Sequence, residues 1–298
     1  MLQKPSGAAD MADEEQPLLG GASGVDLQPR DWQGPCCLHF LERRIAFSQL
    51  DVEAHRRLTA LADVKFDSSS SMHEGAVKKL WESLLDGHYQ QKSPRWQDLG
   101  FQGDDPRTDF RGGGYLGLQC LCHLGAQHAE ETKKMISDAR NAGYEYFFAA
   151  AAINVCALLV THLRLTAVPL AGSVRTRPAC NLALKAVLQD MSSADELSYF
   201  LNLFTAAVRR THFEWMQYCL RNQGANIMSF PLALQATNDA VEVALLTCRD
   251  PCEQLGASRP MSAASGLLSW IYGASSGMLV ALLSGFRCIL CQSGPRGR

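Results

Sequence analysis

The sequence WQDLGFQGDDPRTDFRGGG, residues 96–114, differs in its pattern from the chain on either side of it. Five glycines and Pro106 make a regular helix unlikely to run through this glycine-rich segment. Together with residues 88–95 it forms a predicted loop, and structureless loops beyond about 12–15 residues are usually functional or disordered. Trp96, Leu99 and Phe101 lie inside it, which favours an ordered loop anchored by apolar side chains.

On both sides of the glycine-rich segment, apolar residues recur every three or four positions, as on one face of a helix. Sustained alternation of apolar and polar residues is absent, so the sequence predicts an all-α fold. Upstream, helices are expected from residue 37 to 58 and after Ser71, with Glu74 in a capping box. Downstream, helices are predicted over 115–128, 130–141, 146–165, 182–189, 195–210, 213–220 and 227–248.

The chain divides into four parts by composition. Residues 1–35 contain few large apolar side chains and are predicted to be a disordered tail. A single helical domain is expected over 36–250, followed by a linker at 251–260 and a hydrophobic C-terminal helix within 261–298. From Ser262 to Phe286 no residue is charged. A helix of that length is about 37 Å long, enough for a bilayer core of about 30 Å, although glycines and serines weaken insertion.

Two readings of that C-terminal segment stay open, namely a membrane anchor and a helix packed on the domain. Just beyond it, Cys288 and Cys291 are candidates for S-palmitoylation. Their spacing also suits zinc, but no second ligand pair lies nearby, so no metal site is expected. In the N-terminal tail, Glu14, Leu18 and Leu19 resemble an acidic dileucine sorting signal, for which a chance pair of leucines is the alternative.

Composition and motifs exclude several classes of protein. The formal net charge is −2, from 28 basic and 30 acidic residues, which argues against a nucleic-acid binder. Eleven cysteines and no visible secretory signal indicate reduced thiols and a cytoplasmic location. Walker and zinc-protease motifs are absent, and G-x-G-x-x-G at 112–117 follows no predicted strand. The residues alone therefore identify no enzyme class, and the glycine-rich segment remains the candidate functional feature.

Within the glycine-rich segment, Arg111 precedes three glycines and so has open surroundings. A guanidinium on an ordered, exposed loop is well suited to bind phosphate. Asp109 is expected either to cap the next helix or to hold Arg111 in a bidentate pair. In the alternative, Arg111 and Asp109 pair only to stiffen the loop.

The pattern W-x-x-L-G-F-Q-G-x-x-P-x-T-D-x-R-G-x-G-x-x-x-L, which begins at Trp96, resembles the signature of the ELMO domain. The resemblance extends over roughly residues 50–250. It includes His73-Glu74 and Leu80-Trp81 upstream, and 143–147, 153–154 and 227–231 downstream. The chain has no room for the repeats and pleckstrin-homology region of the large engulfment proteins, so it is similar to the short ELMO-domain-containing proteins.

In that branch of the family, the resemblance implies GTPase activation on Arf-family small GTPases. The motif arginine is the residue proposed to be catalytic there, and it falls on Arg111. The partner-binding residues implied by the motif are Trp96, Phe101, Gln102, Thr108, Asp109, Gly112 and Gly114. GTP and Mg²⁺ would belong to the partner, so no cofactor of the chain's own is expected.

The alternative function is a non-catalytic adaptor whose ELMO domain binds a small GTPase or its exchange factor. For either function the expected location is the cytoplasm, on the cytosolic face of an internal membrane if segment 261–298 is an anchor. Arf-family GTPases work on membrane surfaces, and an anchor would raise the local concentration of the two proteins.

Overall fold

The computed structural model describes residues 47–166, 184–188, 197–247 and 251–256, and these form a helical fold without a strand. The all-α prediction is therefore confirmed. The 3₁₀ turns are Pro94–Leu99, Pro106–Thr108 and Ile227–Ser229, and residues 184–188 are helical. The α-helices are α1 (Gln49–Ala62), α2 (Ser71–Leu84), α3 (Phe110–Gln127), α4 (Ala129–Asp138), α5 (Phe148–His162), α6 (Ser198–Arg221), α7 (Phe230–Thr247) and α8 (Pro251–Gly256).

The termini of the chain lie outside the described residues. This applies to the predicted tail 1–35 with Glu14, Leu18 and Leu19, and to segment 261–298 with Cys288 and Cys291. Their assignments stay predictions. Within the described ranges, no helix combines the length and apolar character needed to cross a membrane.

Helices α3 and α5 pack against each other at the centre of the fold. Their axes approach closely because α3 carries glycine at the contact, where a Cβ on Gly113 would lie 2.7 Å from Ile153 Cγ2. Further along, the sulfur atoms of Cys120 and Cys156 are 3.7 Å apart in the buried interface. The first turn of α3, which carries Arg111, is thus mounted directly on the core.

Helix α6 runs unbroken through the position where two helices, 195–210 and 213–220, were predicted. The prediction leaves Thr211 and His212 between the two helices. Instead the Thr211 hydroxyl donates a hydrogen bond to the carbonyl of Ala207 one turn earlier, so this residue fits inside a helix. The predicted linker at 251–260 is also corrected, because 251–256 form α8, which packs on α6 and α7 with Leu255 buried.

Two capped helices precede the glycine-rich segment. Ser48 and Asp51 form a reciprocal capping box at the start of α1. Helix α2 begins one residue earlier than expected, with Ser70 as its N-cap accepting from the His73 amide. The Glu74 carboxylate does not complete a capping box there, because it faces the loop that follows α2.

Candidate functional site

The glycine-rich segment folds as two 3₁₀ turns followed by the first turn of α3. Its apolar anchors are confirmed, since Trp96 and Phe101 are fully buried. The Trp96 ring packs edge-on against Trp81 at 5.0 Å, and Phe101 against Phe110 at 5.8 Å. Burial corrects their assignment as partner-binding residues, because both rings support the segment from beneath and have no surface to offer.

Gly100, at the end of the first 3₁₀ turn, packs closely against the backbone at the start of α5. Its φ of 82° lies in the left-handed region, and a Cβ would be 2.2 Å from the Phe148 amide nitrogen. The Gly100 carbonyl accepts a hydrogen bond from the Ala150 amide at 3.2 Å. Glycine is therefore required here, and the segment is fixed to α5 by backbone contacts.

A network of charged side chains holds the middle of the segment against α2. The sequence analysis did not predict this network. The Arg107 guanidinium donates to both carboxylate oxygens of Asp105 at 2.7 Å and lies 3.6 Å from Glu74 on α2. Tyr89 and Gln91 also donate to Glu74. The signal available in the sequence was Asp105-Pro106-Arg107, in which a turn places the first and third side chains together.

These contacts change the ionisation of the groups involved. Hydrogen bonds from Arg107 hold the pKa of Asp105 below its ordinary value, and Asp105 in turn raises the pKa of Arg107. Burial and the nearby Glu74 carboxylate raise the pKa of Tyr89 to about 12. The Asp105–Arg107 pair is therefore charged at neutral pH, and its contact with Glu74 makes it a clasp between the segment and α2.

Asp109 occupies the N-cap position of α3, but its side chain does not cap the helix. One carboxylate oxygen accepts from the Gln102 amide at 2.8 Å, and the other is 3.4 Å from the Thr108 hydroxyl. The expected Asp109–Arg111 pair is not formed. Asp109 instead ties the two ends of the segment to each other.

Arg111 is the second residue of α3 and is exposed. Within the part of the chain that the structure describes, it makes no hydrogen bond or ion pair. Gly112 beside it is also exposed, with no atom within 4 Å of a built Cβ. The guanidinium thus stands on a fixed backbone with its five N–H donors available to a ligand.

The three glycines after Arg111 were predicted to leave its surroundings open, and they differ from one another in conformation and exposure. Gly112 and Gly113 belong to the first turn of α3, and Gly114 forms a kink with φ 56° and ψ −155°. A Cβ on Gly114 would lie 2.5 Å from the Val64 carbonyl oxygen, which accepts the Tyr115 amide at 2.8 Å. Gly114 therefore has a structural role, and Gln102, Thr108 and Gly112 remain exposed around Arg111.

The site is thus an exposed arginine presented by a braced segment of an all-α domain, and the described residues offer no group of three or more metal-ligating side chains. Such an arrangement can recognise or neutralise a phosphate group supplied by another molecule. It defines a class of helical domain that presents an exposed arginine on a braced segment.

Comparison with known proteins gives the family. Residues 56–234 match the ELMO/CED-12 family, and the chain belongs to it, which confirms the resemblance seen in the glycine-rich segment. No solved structure matches the chain.

Three relatives illustrate the similarity. ELMO domain-containing protein 2 of Mus musculus is 35% identical over 61% of this chain and 57% of its own length. The protein of the same name from Homo sapiens is 33% identical over 39% of this chain and 38% of its own length. ELMO domain-containing protein B of Dictyostelium discoideum is 38% identical over 33% of this chain and 34% of its own length. The matched stretch spans less than two thirds of each of these relatives.

Proposed function

We propose that this protein is a GTPase-activating protein for Arf-family small GTPases, with Arg111 as the arginine finger. The observation that carries the proposal is the state of Arg111, which is exposed and makes no hydrogen bond or ion pair within the described ranges. Its neighbours Asp105, Arg107 and Asp109 are all engaged in holding the segment. Proteins of the ELMO-domain family generally act with small GTPases.

The proposed mechanism is electrostatic. GTP and Mg²⁺ are bound by the partner, and this chain supplies no cofactor. The Arg111 guanidinium enters the nucleotide site and neutralises the charge that develops on the phosphate oxygens as the terminal phosphoryl group leaves. Arginine fingers accelerate hydrolysis by about 10³–10⁵-fold in known GTPases. The stabilisation is effective because the donors are oriented before the reaction starts.

The fixed backbone beneath Arg111 supports this role. Contacts at Gly100, at Arg107 and at Asp109 hold the segment to α5, to α2 and to itself. Docking therefore needs to order only the Arg111 side chain, which keeps the entropic cost of binding low. Exposed Gln102, Thr108 and Gly112, together with half-buried Asp109, are the proposed contacts with the GTPase around the finger.

The proposed location is the cytoplasm, on the cytosolic face of an internal membrane where Arf-family GTPases work. Segment 261–298 is the proposed membrane contact, with Cys288 and Cys291 as sites for lipid attachment. Glu14, Leu18 and Leu19 are the proposed sorting signal of an anchored protein.

Single-turnover GTP hydrolysis by a panel of Arf-family GTPases tests the proposed activity, using the full 298-residue chain. Wild type should accelerate at least one GTPase, and Arg111→Lys should lose most of the acceleration because lysine lacks the planar fork. The matched control is Arg56→Lys, an exposed arginine of α1 that pairs with Glu53 at 2.7 Å. It should keep full activity.

The contrary outcomes are clear. Unchanged acceleration by Arg111→Lys would reject Arg111 as the finger. A folded wild type that binds a GTPase without accelerating hydrolysis would favour the adaptor function instead.

A further inference from the structure

A groove of about 380 Å³ opens beside the first 3₁₀ turn of the glycine-rich segment. Buried side chains of Ile136, Tyr146 and Phe148 form its floor. Phe147 and Ile227 form an apolar edge. We refer to this feature as the Phe147 groove.

The apolar edge of the Phe147 groove is unusually exposed. Phe147 is 47% exposed and Ile227 is 38% exposed, although both are large apolar residues. The rim also carries the Arg140–Asp98 ion pair, with N and O atoms 3.0 Å apart. An apolar floor with a polar rim is the arrangement found in protein–protein interfaces.

A short chain of backbone and hydrogen-bond links connects the Phe147 groove to Arg111. Gly100 lines the groove and its backbone touches Phe147 and Phe148. Two residues on, the Gln102 amide is hydrogen-bonded to Asp109, which directly precedes the turn that carries Arg111. These links limit the Cα separation of Phe147 and Arg111 to at most about 28 Å.

We infer that the Phe147 groove seats an apolar side chain of the same GTPase that receives Arg111. The inference rests on the proposed function. A stable interface covers about 800 Å² on each partner, equivalent to a disc about 32 Å across. A single guanidinium accounts for only a small part of that area. Because the diameter of that disc exceeds the largest separation of Phe147 and Arg111, one interface of ordinary size can include both, and the exposed apolar edge of the Phe147 groove then provides the buried contact that the finger lacks.

The two sites then contribute differently to the reaction. Arg111 acts on charge that develops in the transition state, so its loss lowers the maximal rate. An apolar contact in the Phe147 groove is made equally before and during the reaction, so its loss weakens binding alone. This division gives a kinetic signature for each site.

The variant Phe147→Ser tests the inference without endangering the fold. Phe147 is the N-cap residue of α5 and makes no side-chain capping bond, whereas serine is a favoured N-cap. The matched control is Leu50→Ser, because Leu50 is 66% exposed and lies near the start of α1. Leu50 is a suitable control because it lies about 18 Å along α1 from Ala62, the end of that helix that approaches Gly114.

Single-turnover hydrolysis is measured against the concentration of the full chain, and calorimetry measures its binding to each GTPase loaded with a non-hydrolysable GTP analogue. Phe147→Ser should raise the half-saturating concentration and the Kd about tenfold, the range of a residue that anchors an interface. The maximal rate should not change. Leu50→Ser should match wild type in both assays, and Arg111→Lys should lose the maximal rate while keeping its Kd.

Four results would overturn the inference. Two concern binding, namely an unchanged Kd for Phe147→Ser and the absence of binding by wild type to any GTPase of the panel. The other two concern the variant itself, namely faster hydrolysis with Phe147→Ser and, in light scattering, a wild-type dimer that becomes a monomer in Phe147→Ser. A faster reaction would indicate that a segment of this chain occupies the groove, and a monomer would indicate a second copy. If wild type binds without accelerating hydrolysis, the proposed function fails, while the effect of Phe147→Ser on Kd still decides the occupant of the groove.

Discussion

The kink at Gly114 gives the sharpest test of how the glycine-rich segment is held. Its φ of 56° and ψ of −155° fall in a region that is essentially restricted to glycine. We predict that Gly114→Ala is strongly destabilising. The neighbouring Gly112→Ala is the matched control, since Gly112 lies in the first turn of α3 and a Cβ there meets no atom within 4 Å.

The magnitude follows from two contributions. Forcing alanine into this backbone conformation costs about 1–3 kcal/mol. The new Cβ would also be 2.5 Å from the Val64 carbonyl oxygen, which weakens its hydrogen bond with the Tyr115 amide, a loss of about 1 kcal/mol. We therefore expect Gly114→Ala to lower the free energy of unfolding by about 3 kcal/mol. Gly112→Ala should range from neutral to about 1 kcal/mol more stable, because alanine is the better helix former.

Urea unfolding followed by circular dichroism at 222 nm measures both free energies, and thermal unfolding gives a second reading. At roughly 2–4 °C per kcal/mol for a domain of this size, Gly114→Ala should lower Tm by about 6–12 °C. Equal stability of Gly114→Ala and wild type would refute the reasoning, and so would an equal loss in Gly112→Ala. The first result would mean that the first turn of α3 can reorient to accept a side chain, and the second that the loss does not come from the kink at Gly114.

Two further predictions concern ionisable groups. Burial raises the pKa of the Cys120 thiol, so Cys120 should resist iodoacetamide at pH 8 until the protein unfolds, as followed by peptide mass spectrometry. Rapid labelling of native Cys120 would contradict this. Arg107 lowers the pKa of Asp105 in the folded protein. The contribution of Asp105 to the stability of the fold is therefore complete above its unfolded pKa of about 3.9, and it is lost as the pH falls through the lower folded pKa. Asp105→Asn should make the acid loss of stability less steep in urea unfolding between pH 7 and pH 3, and an unchanged slope would count against the clasp.

Local patterns predicted the helical class and the anchors of the glycine-rich segment. Helical spacing depends on neighbours three or four positions away, so it can be read from sequence without knowing the fold. Trp96 and Phe101 stood out because large apolar side chains are rare in a loop of glycine and aspartate. Large apolar side chains in such a loop are expected to be buried, and the assignment of Trp96 and Phe101 as partner contacts overlooked this.

The contacts that place Arg111 could not be predicted in the same way. Glu74 and Arg107 are far apart in sequence, and their approach depends on how α2 packs against α3. Asp109 had two nearby partners by spacing, Arg111 and the helix N-terminus, but the fold brings the Gln102 amide closer. Sequence therefore indicated candidate residues for a partner contact, while packing decided which of them are exposed.

The edge-on contact of Trp81 and Trp96 gives the glycine-rich segment an optical signal of its own. The two indoles are 5.0 Å apart at 69°, one on α2 and one in the segment, so their excited states are coupled. Trp215 lies on α6, packs against Tyr146 and Tyr218, and is not part of this pair. Detachment of the segment from α2 would remove the coupled band in circular dichroism while Trp215 stays buried. Local unfolding of the segment can thus be distinguished in solution from unfolding of the rest of the domain without attaching a dye.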